Sequence, residues 1–276
     1  MTGPDGLAGD AAGHDRPRAA DDAGADDGAG LAGIVPEGAA AAAVRSAGTD
    51  RSLLWPEEAA ALGTVAPARA RDFVNGRRCA RTALARLGLE PVPVDRGPRG
   101  EPCWPPGVVG AITHTALGPR GGHTPAPGYA AAVVAWARRV PVLGLDAEPD
   151  EPLPAGVLDR IARPEERHWL DPLLGATPAG STAPGVALGA APGALPGVAH
   201  PDRLLFCLKE AVYKAWYPAT GRWLGFGDAR VTPTATGTSC AIEILVDGPL
   251  PPLTGRWFST GGVVAAVVAP QGVFPD

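Results

Sequence analysis

The chain is short of cysteine, and its four cysteines (Cys79, Cys103, Cys207, Cys240) stand too far apart for any CxxC or Cys/His ligand spacing. That excludes zinc ribbons and fingers and the dithiol redox motifs. No segment has the shape of an export signal, so the thiols are expected to be reduced and the protein cytoplasmic. Long apolar runs are missing as well. Tyr129–Ala137 and Gly262–Ala269 are among the longest, and a membrane-crossing helix needs about 20 residues. There is no strong charge of one sign. Net charge is −5, and residues 1–30 account for it with seven Asp against Arg16 and Arg18. The remaining 22 acids and 22 bases cancel, which argues against a general nucleic-acid binder. GxxxxGK[ST], GxGxxG after a strand, GxSxG and HExxH are all absent, so the common nucleotide, hydrolase and zinc-protease signatures do not apply.

Present instead are 38 Gly and 32 Pro in 276 residues, enough to predict that some segments stay unfolded. Residues 1–45, rich in Ala, Gly and Asp and without apolar periodicity, are expected to be a disordered tail. Residues 175–199 read as a flexible low-complexity loop and 116–128 as a surface insertion. Between them the pattern is ordered. Phe73, Ala80, Leu84 and Leu87 recur at helical spacing across Pro67–Leu89. Asp95–Pro106 reads as a Gly/Pro-punctuated loop. Val108–Thr113, Tyr129–Ala137 and Val142–Ala147 read as strands. Short helices are expected over Leu153–Ala162 and Glu165–Leu174. A strong helix capped by Asp202 should run to Trp216. Antiparallel strands follow around Ile242–Val246, Gly255–Phe258 and Val263–Val268. Helices on mainly antiparallel strands make the expected fold class α+β.

Three places carry chemistry. Asp146 and Glu148 are two apart at the end of an apolar strand, so their carboxylates share a face. They would repel unless a cation joined them, with Mg²⁺ the default hard ion; a solvated strand end is the alternative. Lys209, Glu210 and Lys214 lie on a helix that is apolar nearly all round. A surface ion pair between Glu210 and Lys214 is the bland reading, but charges on a buried helix need partners. A metal–polyphosphate site would supply them. His114 follows a strand and precedes a loop, where it is either structural or a phosphate contact. Arg77 sits beside the apolar stripe of its helix, where a guanidinium can meet a phosphate. Residues alone lead to a divalent-metal site that handles a phosphorylated ligand.

The stretches FVNGRRCARTAL (73–84), GPRGEPCWP (97–105), GAITHT (110–115), GLDAEP (144–149) and LLFCLKEAVYKAWYPATGRWLGFGDA (204–229) resemble, in order, the 4′-phosphopantetheinyl transferases. The type is Sfp/EntD-like, near actinobacterial and enterobactin-associated members. The resemblance implies a fold of two pseudo-two-fold α/β halves, 46–145 and 146–276, with the active site between them. It implies coenzyme A as co-substrate, apo carrier proteins as acceptors, and a monomer. It implies Mg²⁺ held by Asp146, Glu148 and Glu210, with Glu210 also the candidate base. By the same resemblance Lys209, Lys214 and His114 contact phosphates, and Arg69, Arg77 and Arg99 grip the nucleotide 3′-phosphate. Ala147 stands where some relatives place another metal-ordering group, and a water is expected to fill that position. A non-catalytic coenzyme A or carrier binder, and a metal-dependent phosphodiester hydrolase, are the alternative functions.

Overall fold

A computed structural model describes residues 29–46, 48–117, 127–175, 195–234 and 237–275. Its elements are α1 (Ala29–Ala32), β1 (Ala39–Ser46), α2 (Pro56–Leu62), α3 (Pro67–Arg86), β2 (Asp95–Arg96), β3 (Pro102–Cys103), β4 (Val108–Ala116), β5 (Gly128–Trp136), β6 (Gly144–Pro149), α4 (Leu158–Ile161), α5 (Pro164–Gly175), α6 (Pro201–Thr220), β7 (Ala229–Pro233), β8 (Ser239–Ile244), β9 (Leu253–Thr260) and β10 (Val263–Pro270). One sheet runs β1-β5-β4 and a second runs β6-β10-β9-β8-β7, while β2 and β3 form a small hairpin. Every strand pairing is antiparallel. The chain is α+β.

The two sheets stack with a helix on each outer face. Side chains alternate along β5, so Ala131, Val133 and Ala135 face the second sheet, while Ala130, Ala132 and Val134 face α3. On β10, Val263, Ala265 and Val267 meet the first sheet, and Val264, Ala266 and Val268 meet α6. Both strands are covered on both faces, which explains their unbroken runs of Ala and Val. Small side chains there let four layers pack closely. The α3 stripe behaves as its spacing predicts, with Phe73, Ala80 and Leu84 buried.

Several sequence expectations are corrected. The tail drawn through residue 45 includes α1 and most of β1, which pairs with β5 from Ala39↔Ala135 to Ser46↔Gly128. Residues 1–28, and most of the expected loops at 116–128 and 175–199, lie outside the described residues. The 95–106 loop contains the β2–β3 hairpin. The strand β7 opens the stretch from Asp228 onward that alternates like antiparallel strands, ahead of the three segments named for it. Asp202 does not cap α6, whose N-cap is His200; its Oδ2 instead accepts from the Leu153 amide at 2.9 Å.

Candidate active site

The site forms where β6 leaves the seam between the sheets and passes under α6. Gly144 makes that approach possible, because a Cβ there would lie 1.9 Å from the Ala211 carbonyl oxygen. Two residues on, Asp146 is buried. Its Oδ1 accepts from Lys214 Nζ on α6 at 2.7 Å and from Thr113 Oγ on β4 at 3.1 Å. Its Oδ2 is buried with no hydrogen-bond partner among the described residues. Burial alone would lower the pKa of Lys214, but the Asp146 carboxylate, with Glu210 beyond it, holds it above the usual lysine value.

Glu148 shares the Asp146 face, as the spacing predicts. Burial, and then the Asp146 charge, push its pKa up to about 7, against the opposing pull of Arg203 and Lys214. Arg203 Nη1 lies 3.3 Å from Glu148 Oε2. The other guanidinium nitrogens of Arg203 hold the carbonyls of Glu151 (2.9 Å) and Pro152 (2.9 Å). Glu210 on α6 is raised too, by burial first and then by Asp146. Two carboxylates raised by burial and by the charge of Asp146 mark a place short of positive charge.

Lys209 departs from its expected role. Its ammonium is buried, paired with Glu166 at 2.7 Å. It also donates to the carbonyls of Ile161 (2.8 Å), Phe226 (2.7 Å) and Ala229 (3.2 Å). An ammonium has three protons, so in this arrangement none is left for a phosphate. Glu166, fully buried, completes the knot by accepting from the amides of Val231 (2.8 Å) and Arg163 (2.8 Å).

Beside the acids opens a cleft of about 320 Å³, between the β2–β3 hairpin, β4 and α6. Arg69, Arg96, Arg99, His114, Glu210 and Lys214 line it, so four cationic or imidazole groups from the first half face two charged groups from the second. Tyr213 and Tyr217 form an aromatic wall, with Arg99 over the Tyr217 ring at 5.7 Å. A smaller pocket of about 100 Å³ also borders Glu210, with Lys209, Trp223, Leu224 and Phe226 in its wall. His114 Nδ1 is 3.6 Å from Asp72 Oδ2. Burial lowers the pKa of His114 although Asp72 pulls the other way.

Arg77 is not part of the cleft wall. It is buried beneath the hairpin, 4.4 Å above the Phe73 ring, and donates to the Asp95 carbonyl at 3.4 Å. Burial lowers its pKa to about 10, so it stays charged. Arg96, which the sequence reading did not single out, is half-buried in the cleft wall and reaches the same Phe73 ring at 6.0 Å. Thr113 and Arg203 were also missed. Thr113 lies within the GAITHT stretch and Arg203 just before LLFCLKEAVYKAW, but their partners come from distant parts of the chain, which local sequence does not reveal.

Among the described residues, no three His, Cys, Asp or Glu side chains are drawn together tightly enough to form a ready metal cluster. Lys214 and Arg203 supply the positive charge at Asp146 and Glu148. The donor set nevertheless suits a hard cation, with one buried carboxylate oxygen free and two neighbouring acids held toward their neutral form.

Two family models match the chain: the 4′-phosphopantetheinyl transferase N-terminal domain over residues 56–117, and the 4′-phosphopantetheinyl transferase superfamily over residues 142–267. The chain belongs to the 4′-phosphopantetheinyl transferase family. It is 40% identical to the 4′-phosphopantetheinyl transferase PptT of Mycobacterium tuberculosis, over 77% of this chain and 84% of that protein. Npt of Nocardia iowensis is 40% identical over 73% and 82%, and Svp of Streptomyces mobaraensis 40% over 80% and 81%. The activity is transfer of phosphopantetheine from coenzyme A to carrier proteins. The two matches divide between the elements that supply the arginines and those that supply the acids, so the cleft belongs to both.

Proposed function

We propose that this cleft holds the phosphates of coenzyme A and that Asp146, Glu148 and Glu210 would hold Mg²⁺ beside them. The observation that carries the reading is the facing of Arg69, Arg96, Arg99 and His114 across the cleft from Glu210 and Lys214. Arginine forks suit phosphate oxygens, and Arg69, Arg96 and Arg99 would take the nucleotide phosphates. Lys214, leaving Asp146 for the ligand, would meet the pyrophosphate. Glu210, whose raised pKa makes it a better proton acceptor than an ordinary glutamate, takes the proton of the carrier serine directly or through one water. The serine oxygen forms a bond to the phosphorus that bears pantetheine. The bond from that phosphorus to the bridging oxygen breaks, and 3′,5′-ADP leaves with the electron pair. When bound by Asp146, Glu148 and Glu210, Mg²⁺ would supply neutralisation of charge on the phosphates. Lys209 has no part in this account beyond fixing α6, and Arg77 acts from beneath by supporting the Arg96 hairpin.

Every residue this reading uses comes from one chain, which favours a monomer. No helix among the described residues is long and apolar enough to cross a membrane, in keeping with work in the cytoplasm on soluble carriers of peptide, polyketide or siderophore assembly. Intact-mass analysis of an apo carrier incubated with the protein, coenzyme A and Mg²⁺ tests the reading. A mass gain of one phosphopantetheine, abolished by EDTA and by Asp146→Asn, is expected. A gain that survives EDTA removes the metal assignment. Loss of coenzyme A without any gain on the carrier would instead indicate hydrolysis.

A further inference from the structure

Among the described residues the second sheet ends at β6, so one edge of that strand has no strand neighbour within the sheet. Facing it across the seam is β4, the edge of the first sheet. Ala111 and Thr113 on β4 lie two apart and share one face, and Ala111 packs in the core between the sheets. Thr113 is 1% exposed, and its hydroxyl uses both of its capacities on β6. It accepts from the Ala147 amide at 3.0 Å and donates to Asp146 Oδ1 at 3.1 Å. One hydroxyl therefore covers an open strand edge and fixes the neighbouring carboxylate.

The effect on Asp146 is specific. Oδ1 receives two donors, Thr113 from the first half and Lys214 from α6. Oδ2 receives none and is buried. A carboxylate held by one oxygen has its plane and its second oxygen fixed, which is how hydrogen bonds behind a ligand orient it for a cation. If Lys214 turns to a phosphate, Thr113 remains as the donor that holds Asp146 in place. His114, the next residue, lines the cleft. Adjacent positions on β4 thus serve the ligand and the carboxylate.

We propose that Thr113 is a positioning residue for the reaction, orienting Asp146 toward the cation through a hydrogen bond that crosses between the two halves. The proposal rests on the assignment of Asp146 as a metal ligand. Its test is direct binding of Mn²⁺, followed by electron paramagnetic resonance with and without coenzyme A, on the full-length protein and its Thr113→Ser and Thr113→Ala variants. Both variants lose the methyl group, and they differ only in the hydroxyl. Ser should bind within about threefold of wild type, and Ala about 10-fold more weakly or worse. Thr113→Val, which keeps the shape and lacks the hydroxyl, should match Ala and provides the comparison if Ala does not fold. Melting temperatures separate a purely structural role, in which Ala and Val melt earlier while binding Mn²⁺ as Ser does; that result overturns the proposal. Asp146→Asn is the control for the underlying assignment. If wild type and Asp146→Asn bind Mn²⁺ alike, the ligand assignment fails first and the Thr113 role falls with it.

Discussion

The chain has two lysines, Lys209 and Lys214, both on α6, and the regions around them differ in kind. Around Lys209 the protein is closed: Glu166 and three backbone carbonyls surround the ammonium, and α4, α5 and the start of β7 meet there. Around Lys214 it is open: the ammonium has one carboxylate, Asp146, and borders a cleft of about 320 Å³. A buried charge with every proton used holds a fold together, while a charge with one exchangeable partner is free to change partners. The helix is thus fixed on one side so that the other can work.

The largest effect should come from opening the closed region. Lys209→Met leaves Glu166 charged and buried, a loss of about 3–5 kcal/mol. Adding Glu166→Gln should restore much of it in a denaturant titration. Full stability in the single variant would mean that the closed region is not what fixes α6.

The open region offers two smaller tests. Arg96→Ala should weaken coenzyme A binding about 10-fold by calorimetry, more than it weakens an analogue lacking the 3′-phosphate, since one charge-assisted contact is worth about 1.5–3 kcal/mol. Equal loss for both ligands would remove Arg96 from that phosphate. The smallest effect concerns pH. Glu148 is raised to about 7, so without a cation it binds a proton more readily folded than unfolded. Its contribution to stability therefore falls as pH rises from the ordinary glutamate range through 7 and then levels off. Metal binding needs the deprotonated form, so Mn²⁺ affinity should climb over the same interval and flatten above it. In Glu148→Gln both slopes should shrink.

Local patterns in the sequence foretold much of this arrangement. The DAE spacing placed two acids on one face because strand side chains alternate, and α3 and α6 were legible from apolar spacing. β1 was not, because AAAAAVRS offers almost no alternation and alanine is a poor strand former; only pairing with β5 makes it a strand. The direction of Lys209 was hidden for another reason. Its partner Glu166 is on a separate helix, and a helical position says nothing about which distant carboxylate will reach it. Which arginine lines the cleft was not legible either, because the hairpin closes over Arg77 and leaves Arg96 half-buried in the cleft wall.

The most direct measurement is the carrier mass-gain rate of Lys214→Met beside that of Lys209→Met/Glu166→Gln, each taken below its melting temperature. Lys214→Met should lose about 10²–10³-fold, while the double variant stays within about threefold of wild type. A double variant as inactive as Lys214→Met, though folded, would contradict the division between the two regions and return Lys209 to the phosphates.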